Sequence, residues 1–212
     1  MLSALPRITI LDARGNRVTS LPAGSIRAHH RLERLDLSSN RISMVGRGAL
    51  EALPALRELN LAENSIPGAG YAGAPPWDLP ALKGLDLSKN ALRRIDAGLL
   101  DRLPSLRRLA LAENAIGIIE PDAFLTCPNL EQLDLAANGL ADIPRGALRP
   151  LRALFALDLG ENRLVNLPPD LPAALEVLRL RANQLSSLPE PPPRLPALRH
   201  LDLTGKLIFF HG

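Results

Sequence analysis

The stretch LERLDLSSNRI, from Leu32 to Ile42, decides the fold because close variants of it recur along the chain. In it, Leu35 and Leu37 alternate with the polar Arg34 and Asp36, which is the period of a short strand with one apolar face. Related phrases are LRELNLAENSI, LKGLDLSKNAL, LRRLALAENAI and LEQLDLAANGL. A phrase that recurs in this way indicates a repeat architecture before it indicates any chemistry.

Each repeat carries apolar residues at frame positions one, four, six and eleven, and Asn at position nine. Eight full repeats start near residues 8, 32, 56, 82, 106, 130, 154 and 175, and a truncated ninth starts at 198, where Lys206 replaces the Asn. Successive starts are 21 to 26 residues apart. One supersecondary unit fills that length, but it cannot bury its own apolar side and must stack on copies of itself. We therefore predict a single repeat domain over residues 1–212.

Connections of this length favour parallel strands, which place equivalent residues side by side at about 4.8 Å. Each Leu position then becomes a continuous core column. The Asn side chain both donates and accepts hydrogen bonds, so after each strand it can satisfy backbone groups that a Leu would leave unpaired. We predict a structural Asn ladder rather than catalytic or ligand groups, formed by Asn16, Asn40, Asn64, Asn90, Asn114, Asn138, Asn162 and Asn183.

Eight copies of the pattern LxxLxLxxNxL resemble leucine-rich repeats over nearly the whole chain. The resemblance implies an α/β fold, a curved horseshoe-shaped solenoid with a parallel concave sheet and irregular convex segments. Return segments such as SLPAGSI and DIPRGALRPL agree with it, because Pro and Gly favour turns over long helices. It also implies a rigid platform for a protein ligand or co-receptor.

The 24-residue form, with phrases such as EPDAFLTCPNLEQLDL, resembles the repeats of receptor ectodomains and matrix proteins. That resemblance implies an extracellular or cell-surface location. Such proteins carry Cys-rich caps, which this sequence lacks, so we expect an internal part of a larger receptor or an incomplete sequence. The alternative is a cytoplasmic repeat protein capped by other means, because NLPPDLPAALEVLRLRANQLSSLPE resembles intracellular scaffolds and bacterial effectors.

Composition argues against several other functions. The 25 basic and 22 acidic residues are spread without a basic run, and aromatic residues make up 3% of the chain, so nucleic-acid binding is not expected. No apolar run reaches the roughly 18 residues of a membrane span. Phosphate-binding loops, GxSxG, HExxH and CxxC motifs are absent, and the four His residues lack metal-ligand spacing. We predict no enzyme activity, no cofactor and no metal site.

The exposed strand positions differ between repeats, so the predicted partner-binding surface is the concave face. Position five is mostly Asp, and basic residues at positions two and three compensate it. A middle cluster of Arg57, Lys83, Arg107 and Arg108 favours a charged protein partner, whereas an Asp column that only keeps the face soluble is the alternative. The candidate binding residues are Arg34, Asp36, Arg57, Glu58, Lys83, Asp86, Arg107, Arg108, Glu131, Asp134, Phe155, Asp158 and Arg179.

Three groups of residues lie outside the frame. Cys127, the single cysteine, falls where neighbouring repeats place a buried Leu, so we predict a core thiol. The adjacent His29 and His30 indicate a solvated turn. Trp77, which follows Tyr71 in the extended third repeat, either packs locally or anchors a partner.

The last part of the chain raises two further expectations. Pro191–Pro193 either stiffen a return segment or bind a recognition domain, because both uses suit polyproline backbone. After Leu203, the apolar Ile208, Phe209 and Phe210 have no next repeat to cover them. We expect an exposed apolar edge there, and self-association through this C-terminal end.

Overall fold

The structure is a computed structural model that describes residues 5–27, 29–67, 77–186 and 194–205. Three expectations concern residues outside these ranges: a partner anchor at Tyr71, the polyproline segment Pro191–Pro193, and self-association through residues 208–210. They stay predictions.

A parallel sheet of three-residue strands forms one side of the described structure. Its nine strands pair in chain order, and neighbouring strands pair equivalent frame positions, as in Leu35 with Leu59. The predicted solenoid of stacked parallel strands is therefore confirmed. The strands are β1 (Ile10–Asp12), β3 (Arg34–Asp36), β5 (Glu58–Asn60), β6 (Gly84–Asp86), β8 (Arg108–Ala110), β10 (Gln132–Asp134), β11 (Ala156–Asp158), β12 (Val177–Arg179) and β13 (His200–Asp202).

The return segments on the other side are mostly irregular, as the sequence predicts. Two short parallel pairs form there, β2 (Ser20–Leu21) with β4 (Met44–Val45), and β7 (Arg94–Ile95) with β9 (Ile118–Ile119). In the described part of the chain the one helix is α1 (Ala97–Leu100). It has four residues, because the chain leaves the helical conformation at Asp101, where ψ is 146°.

The core lies between the two sides and consists of Leu columns. The Leu residues at frame position four are buried from Leu35 through Leu178, and the Leu residues at positions one and six are buried over the same repeats. The first turn is less covered, since Ile8 and Leu11 are only partly buried against the core. Each turn thus buries its apolar side against its neighbours, as a repeat architecture requires.

Seven of the eight Asn residues join neighbouring turns. Each Nδ2 donates to two carbonyls of its own turn and one of the preceding turn, and each Oδ1 accepts a backbone N–H of the preceding turn. Asn16 is exposed and donates only within its own turn. These bonds satisfy backbone groups that would otherwise be left unpaired between turns.

The residue before each Asn, at frame position eight, adopts the left-handed backbone conformation in every repeat. Its φ lies between +47° and +77°, and Gly15 and Gly205 are the only glycines in this set. Side chains such as Ala137 occupy the conformation at an energetic cost, because a Cβ crowds the neighbouring carbonyl there. The turn that directs the Asn side chain into the core therefore fixes the backbone conformation at position eight.

Three residues outside the frame are placed clearly. Cys127 is buried, and burial raises the pKa of its thiol to about 11, which agrees with the predicted core role. Trp77 is 2% exposed and packs into the core, so local packing is confirmed. The prediction of a solvated turn is wrong for His29, which is 3% exposed, while His30 is exposed. His29 is buried because it lies three residues before Leu32, at a return-segment position that other turns fill with buried residues such as Leu53 and Cys127.

Candidate partner-binding groove

The concave face of the sheet holds a groove with a volume of about 650 Å³. It crosses eight neighbouring strands, from β1 to β12, and its lining comes from frame positions three, four and five. The Leu side chains at position four point into the core on the opposite face. Side chains at positions three and five therefore determine what the groove can contact.

Eight of the predicted binding residues line this groove together. The other five lie at frame position two, immediately before the strands, and are not part of the lining. The lining set is Arg34, Asp36, Glu58, Asp86, Arg108, Asp134, Asp158 and Arg179. The set at position two is Arg57, Lys83, Arg107, Glu131 and Phe155.

The groove has the opposite charge sign to the chain. Its lining carries six carboxylates against three guanidiniums, a net charge of −3, whereas the formal charge of the chain is +3. Acidic side chains lined up along neighbouring strands repel one another at this spacing. The carboxylates are Asp12, Asp36, Glu58, Asp86, Asp134 and Asp158, and the guanidiniums are Arg34, Arg108 and Arg179.

Several of the predicted basic residues already form ion pairs on this face. Arg108 contacts Glu58 at 2.6 Å, and this pair bridges two strands by passing over Gly84. A Cβ on Gly84 would lie 2.0 Å from the Glu58 carboxylate, so the bridge depends on glycine there. Arg107 likewise pairs with Glu131.

Other charged groups of the face have no such partner. Arg34, Arg57 and Lys83 make no ion pair within the described ranges, and neither do Asp86 and Asp134. A group without an internal partner can contact another molecule without first breaking an ion pair. These five residues are therefore more available than Arg107 and Arg108.

The column at position five has a structural role that the sequence prediction missed. At each position occupied by Asp or Asn, Oδ1 accepts the backbone N–H two residues on, at 2.9 to 3.2 Å. Asn60 makes the same bond as the Asp residues, to the N–H of Ala62. The bond thus uses the acceptor oxygen but not the charge, which leaves the second carboxylate oxygen for other contacts.

Gly84 and Ala110 also shape the groove, although the sequence prediction did not select them. Each is a small residue in a column of mostly larger side chains, and that break is the signal that the sequence offers. Gly84 leaves room for the bridge above it. Ala110 pairs in register with Asp86 on one side and Asp134 on the other.

Comparison with known proteins agrees with the repeat frame. The leucine rich repeat family profile matches residues 6–66, 77–116 and 104–164, more than half of the chain. The chain belongs to the leucine-rich-repeat family. No curated protein sequence matches this leucine-rich-repeat protein at a significant level.

Two solved structures show the same architecture. A crystal structure of TLR13 in complex with ssRNA13 is 30% identical with a TM-score of 0.84, and the similarity covers 95% of this chain and 30% of that one. A Leptospira interrogans LRR protein is 27% identical with a TM-score of 0.80, covering 96% of this chain and 50% of that one. The leucine-rich-repeat protein thus spans half or less of the length of these similar chains.

The leucine-rich-repeat fold suggests protein–protein recognition, and proteins of this family are generally non-enzymatic binding modules. Within the described residues, no group of three or more His, Cys, Asp or Glu side chains is placed to hold a metal ion. No helix among these same residues is long and apolar enough to cross a membrane.

Burial raises the pKa of Asp134 above its ordinary value. The hydrogen bond from Ala136 N–H acts in the opposite direction, while the nearby carboxylates of Asp158 and Asp86 raise the pKa further. Desolvation and like charges both disfavour the ionised form. The leucine-rich-repeat protein therefore keeps a carboxylate in its groove at a cost to its own stability.

A second row of charges runs along position eight, beside the groove. Hydrogen bonds from Ser39 and then Lys89 lower the pKa of Glu63, and the hydrogen bond to Glu63 raises the pKa of Lys89. Lys89 contacts Glu63 at 3.1 Å. Lys89 is the one basic residue of this row and also lies 4.0 Å from Glu113, so the row, like the groove, has an excess of carboxylates.

Proposed function

We propose that this leucine-rich-repeat protein is a recognition module that holds a protein ligand or co-receptor in its concave groove. The observation that carries the proposal is the groove itself, because its lining collects eight of the predicted binding residues from successive strands. A rigid sheet of this kind can place side chains from many turns against one partner. The opposite face cannot serve in the same way, since it forms the Leu core.

The proposed contact residues are those of the groove and of its position-two row. Within this set, we give Arg34, Arg57, Lys83, Asp86 and Asp134 the main role, because they make no ion pair in the part of the chain that the structure describes. Arg107, Arg108 and Arg179 would first have to leave Glu131, Glu58 and Asp158. Phe155 is half-buried beside β11 and offers an aromatic contact at the same rim.

A steric block of the groove tests this proposal. Ala110→Trp fills the floor, and Ala141→Trp makes the same change on an exposed return segment as a matched control. We expect proteins captured by the wild-type chain, identified by mass spectrometry, to be lost with Ala110→Trp and retained with Ala141→Trp. Circular dichroism melting of both variants checks that the fold is intact. Equal capture by both variants would place the binding site elsewhere.

We further propose that the protein acts in an extracellular or cell-surface setting, as part of a larger receptor-type protein. The support is the 24-residue repeat, which resembles that of receptor ectodomains. An intracellular or bacterial-effector scaffold is the alternative, supported by the short repeat that starts at residue 175. Antibody labelling of intact against permeabilised cells separates the two locations.

Single-stranded RNA is a second candidate ligand, because one of the similar structures is a complex with ssRNA13. The negative charge of the groove disfavours single-stranded RNA as a ligand of this protein. Six carboxylates against three guanidiniums would repel a phosphate backbone, which binds proteins chiefly through Lys and Arg. Protein recognition is therefore the function that we favour.

A further inference from the structure

We propose that the segment bound in the groove is cationic, and that one of its Lys or Arg side chains lies above Ala110, between Asp86 and Asp134. This inference rests on the proposed function, because it names the chemistry of the partner that the same groove holds. The basic residues of position two alone would favour an acidic partner, whereas this inference gives the bound segment a positive charge.

The geometry provides a place for one cationic group. Ala110 pairs with Asp86 of β6 and with Asp134 of β10, so the two carboxylates lie on either side of a residue that has only a methyl group. Two strand spacings separate their backbones by roughly 9.6 Å. An ammonium or guanidinium group placed midway is then about 5 Å from each backbone column and closer to each carboxylate.

No residue of the described ranges forms an ion pair at this place, although the charge of Arg179 is near enough to lower the pKa of Asp134. Arg108, on the same strand as Ala110, is turned away to Glu58 at 2.6 Å. Arg179 contacts Asp158 at 3.6 Å. Within the described ranges, Asp86 and Asp134 are left without an ion pair, although each still accepts a backbone N–H through Oδ1. A cationic group of another molecule can therefore contact both carboxylates without first displacing an internal ion pair.

The whole groove has the same preference. Its net charge of −3 attracts a basic segment and repels an acidic one, as complementary potentials do at protein interfaces. The lining crosses eight strands, which is roughly 34 Å along the face at one strand spacing per step. An extended peptide of about ten residues spans that length.

Synthetic peptides of one length test the inference directly. We would use three fluorescent peptides of about ten residues, in which Ser alternates with Lys, with Glu or with Gln, and a single-stranded RNA oligonucleotide. Fluorescence anisotropy at low and at physiological ionic strength gives the affinity of each. We expect the Lys peptide to bind the wild-type protein and the other three probes to bind at least about tenfold more weakly.

The double variant Asp86→Asn/Asp134→Asn removes the two charges and keeps the turn bonds, because Asn60 already makes the same bond in this fold. We expect it to weaken binding of the Lys peptide by about tenfold, as two partly exposed ion pairs would. The matched control Asp122→Asn/Asp142→Asn makes the same charge change at exposed return-segment positions. It should leave the affinity within about twofold of wild type at physiological ionic strength.

The possible failures are distinguishable. If the Lys peptide does not bind, or if it binds the two double variants equally, the cationic inference is wrong. If the Glu or Gln peptide binds best and Ala110→Trp abolishes that binding, the groove is a binding site but for a different chemistry. If Ala110→Trp leaves every peptide unaffected, the proposed function fails as well. Preferential binding of the RNA oligonucleotide would overturn both.

Discussion

Replacing Asn114 by Ala should destabilise the solenoid by an amount that its hydrogen bonds determine. Its Oδ1 accepts the N–H of Leu92 at 3.0 Å, and within the described residues that N–H has no other partner. Leu92 is buried, so water cannot replace the bond. Leaving one buried backbone donor unpaired costs about 1–3 kcal/mol.

The donor side of Asn114 adds less. Its Nδ2 donates to carbonyls that keep a second partner after the change: Leu87 keeps Asn90 and Leu111 keeps Asn138, each at 3.0 Å. The loss of these bonds adds roughly 0.5–1.5 kcal/mol. The total for Asn114→Ala is therefore about 1.5–4.5 kcal/mol of unfolding free energy.

Asn16→Ala is the matched control, because Asn16 occupies the same frame position but donates only to Ala13 and Arg14 of its own turn. It is exposed, so water can replace those bonds, and we expect a loss below about 1 kcal/mol. Urea unfolding followed by circular dichroism measures both, and equal slopes show that the same transition is compared. Equal losses for the two variants would refute the claim that hydrogen bonds between turns cause the larger loss at Asn114.

Three further predictions concern single positions. Ala137→Gly should raise the unfolding free energy by about 1 kcal/mol, because φ is +53° at Ala137; Ala136→Gly is the control, and a gain there as large as at 137 would contradict the reasoning. Burial raises the pKa of Asp134 in the folded protein above its pKa in the unfolded chain. Ionised Asp134 therefore destabilises the fold at a pH above the folded-state pKa, and this penalty is absent at a pH below the unfolded-state pKa. Asp134→Asn should thus stabilise the protein at pH 7, with a gain that shrinks as the pH falls to about 3; urea titrations at both pH values measure it, and a gain independent of pH would exclude this cause. Cys127, buried with a thiol pKa raised to about 11, should resist a thiol reagent at pH 8 in the native protein and react after unfolding in urea; fast labelling of the native form would show that the core opens there.

The fold could be predicted from the sequence because a single pattern repeats. Leu35, Leu59 and their equivalents recur at one frame position, and parallel stacking is the arrangement that buries all of them together. Burial of Cys127 and Trp77 followed from comparing the return segments of neighbouring repeats, since both replace apolar residues there. His29 lies three residues before Leu32, which is the same return-segment position as Cys127 before Leu130. Other repeats bury a Leu there, so the same comparison of repeats could have predicted its burial, which was missed.

The groove was harder to predict because its properties depend on contacts between turns. The sequence shows Arg108 and Glu58 fifty residues apart, and only the missing side chain at Gly84 lets them meet. The Asp residues at position five look like surface charges in the sequence, yet each holds its own turn through Oδ1. Rotamers and turn conformations decide such pairings, and the repeat period does not encode them.

The identity of core contacts from turn to turn also makes each turn an exchangeable unit. Residues 106–129 form one complete period, so their excision would join Ser105 to Leu130 with the Leu and Asn frame unbroken. The core would change little, whereas Asp86 would come to lie directly beside Asp134, at about 4.8 Å instead of two strand spacings. Gain or loss of a whole turn can therefore change which charged residues are neighbours on the concave face while the packing of the Leu core stays the same.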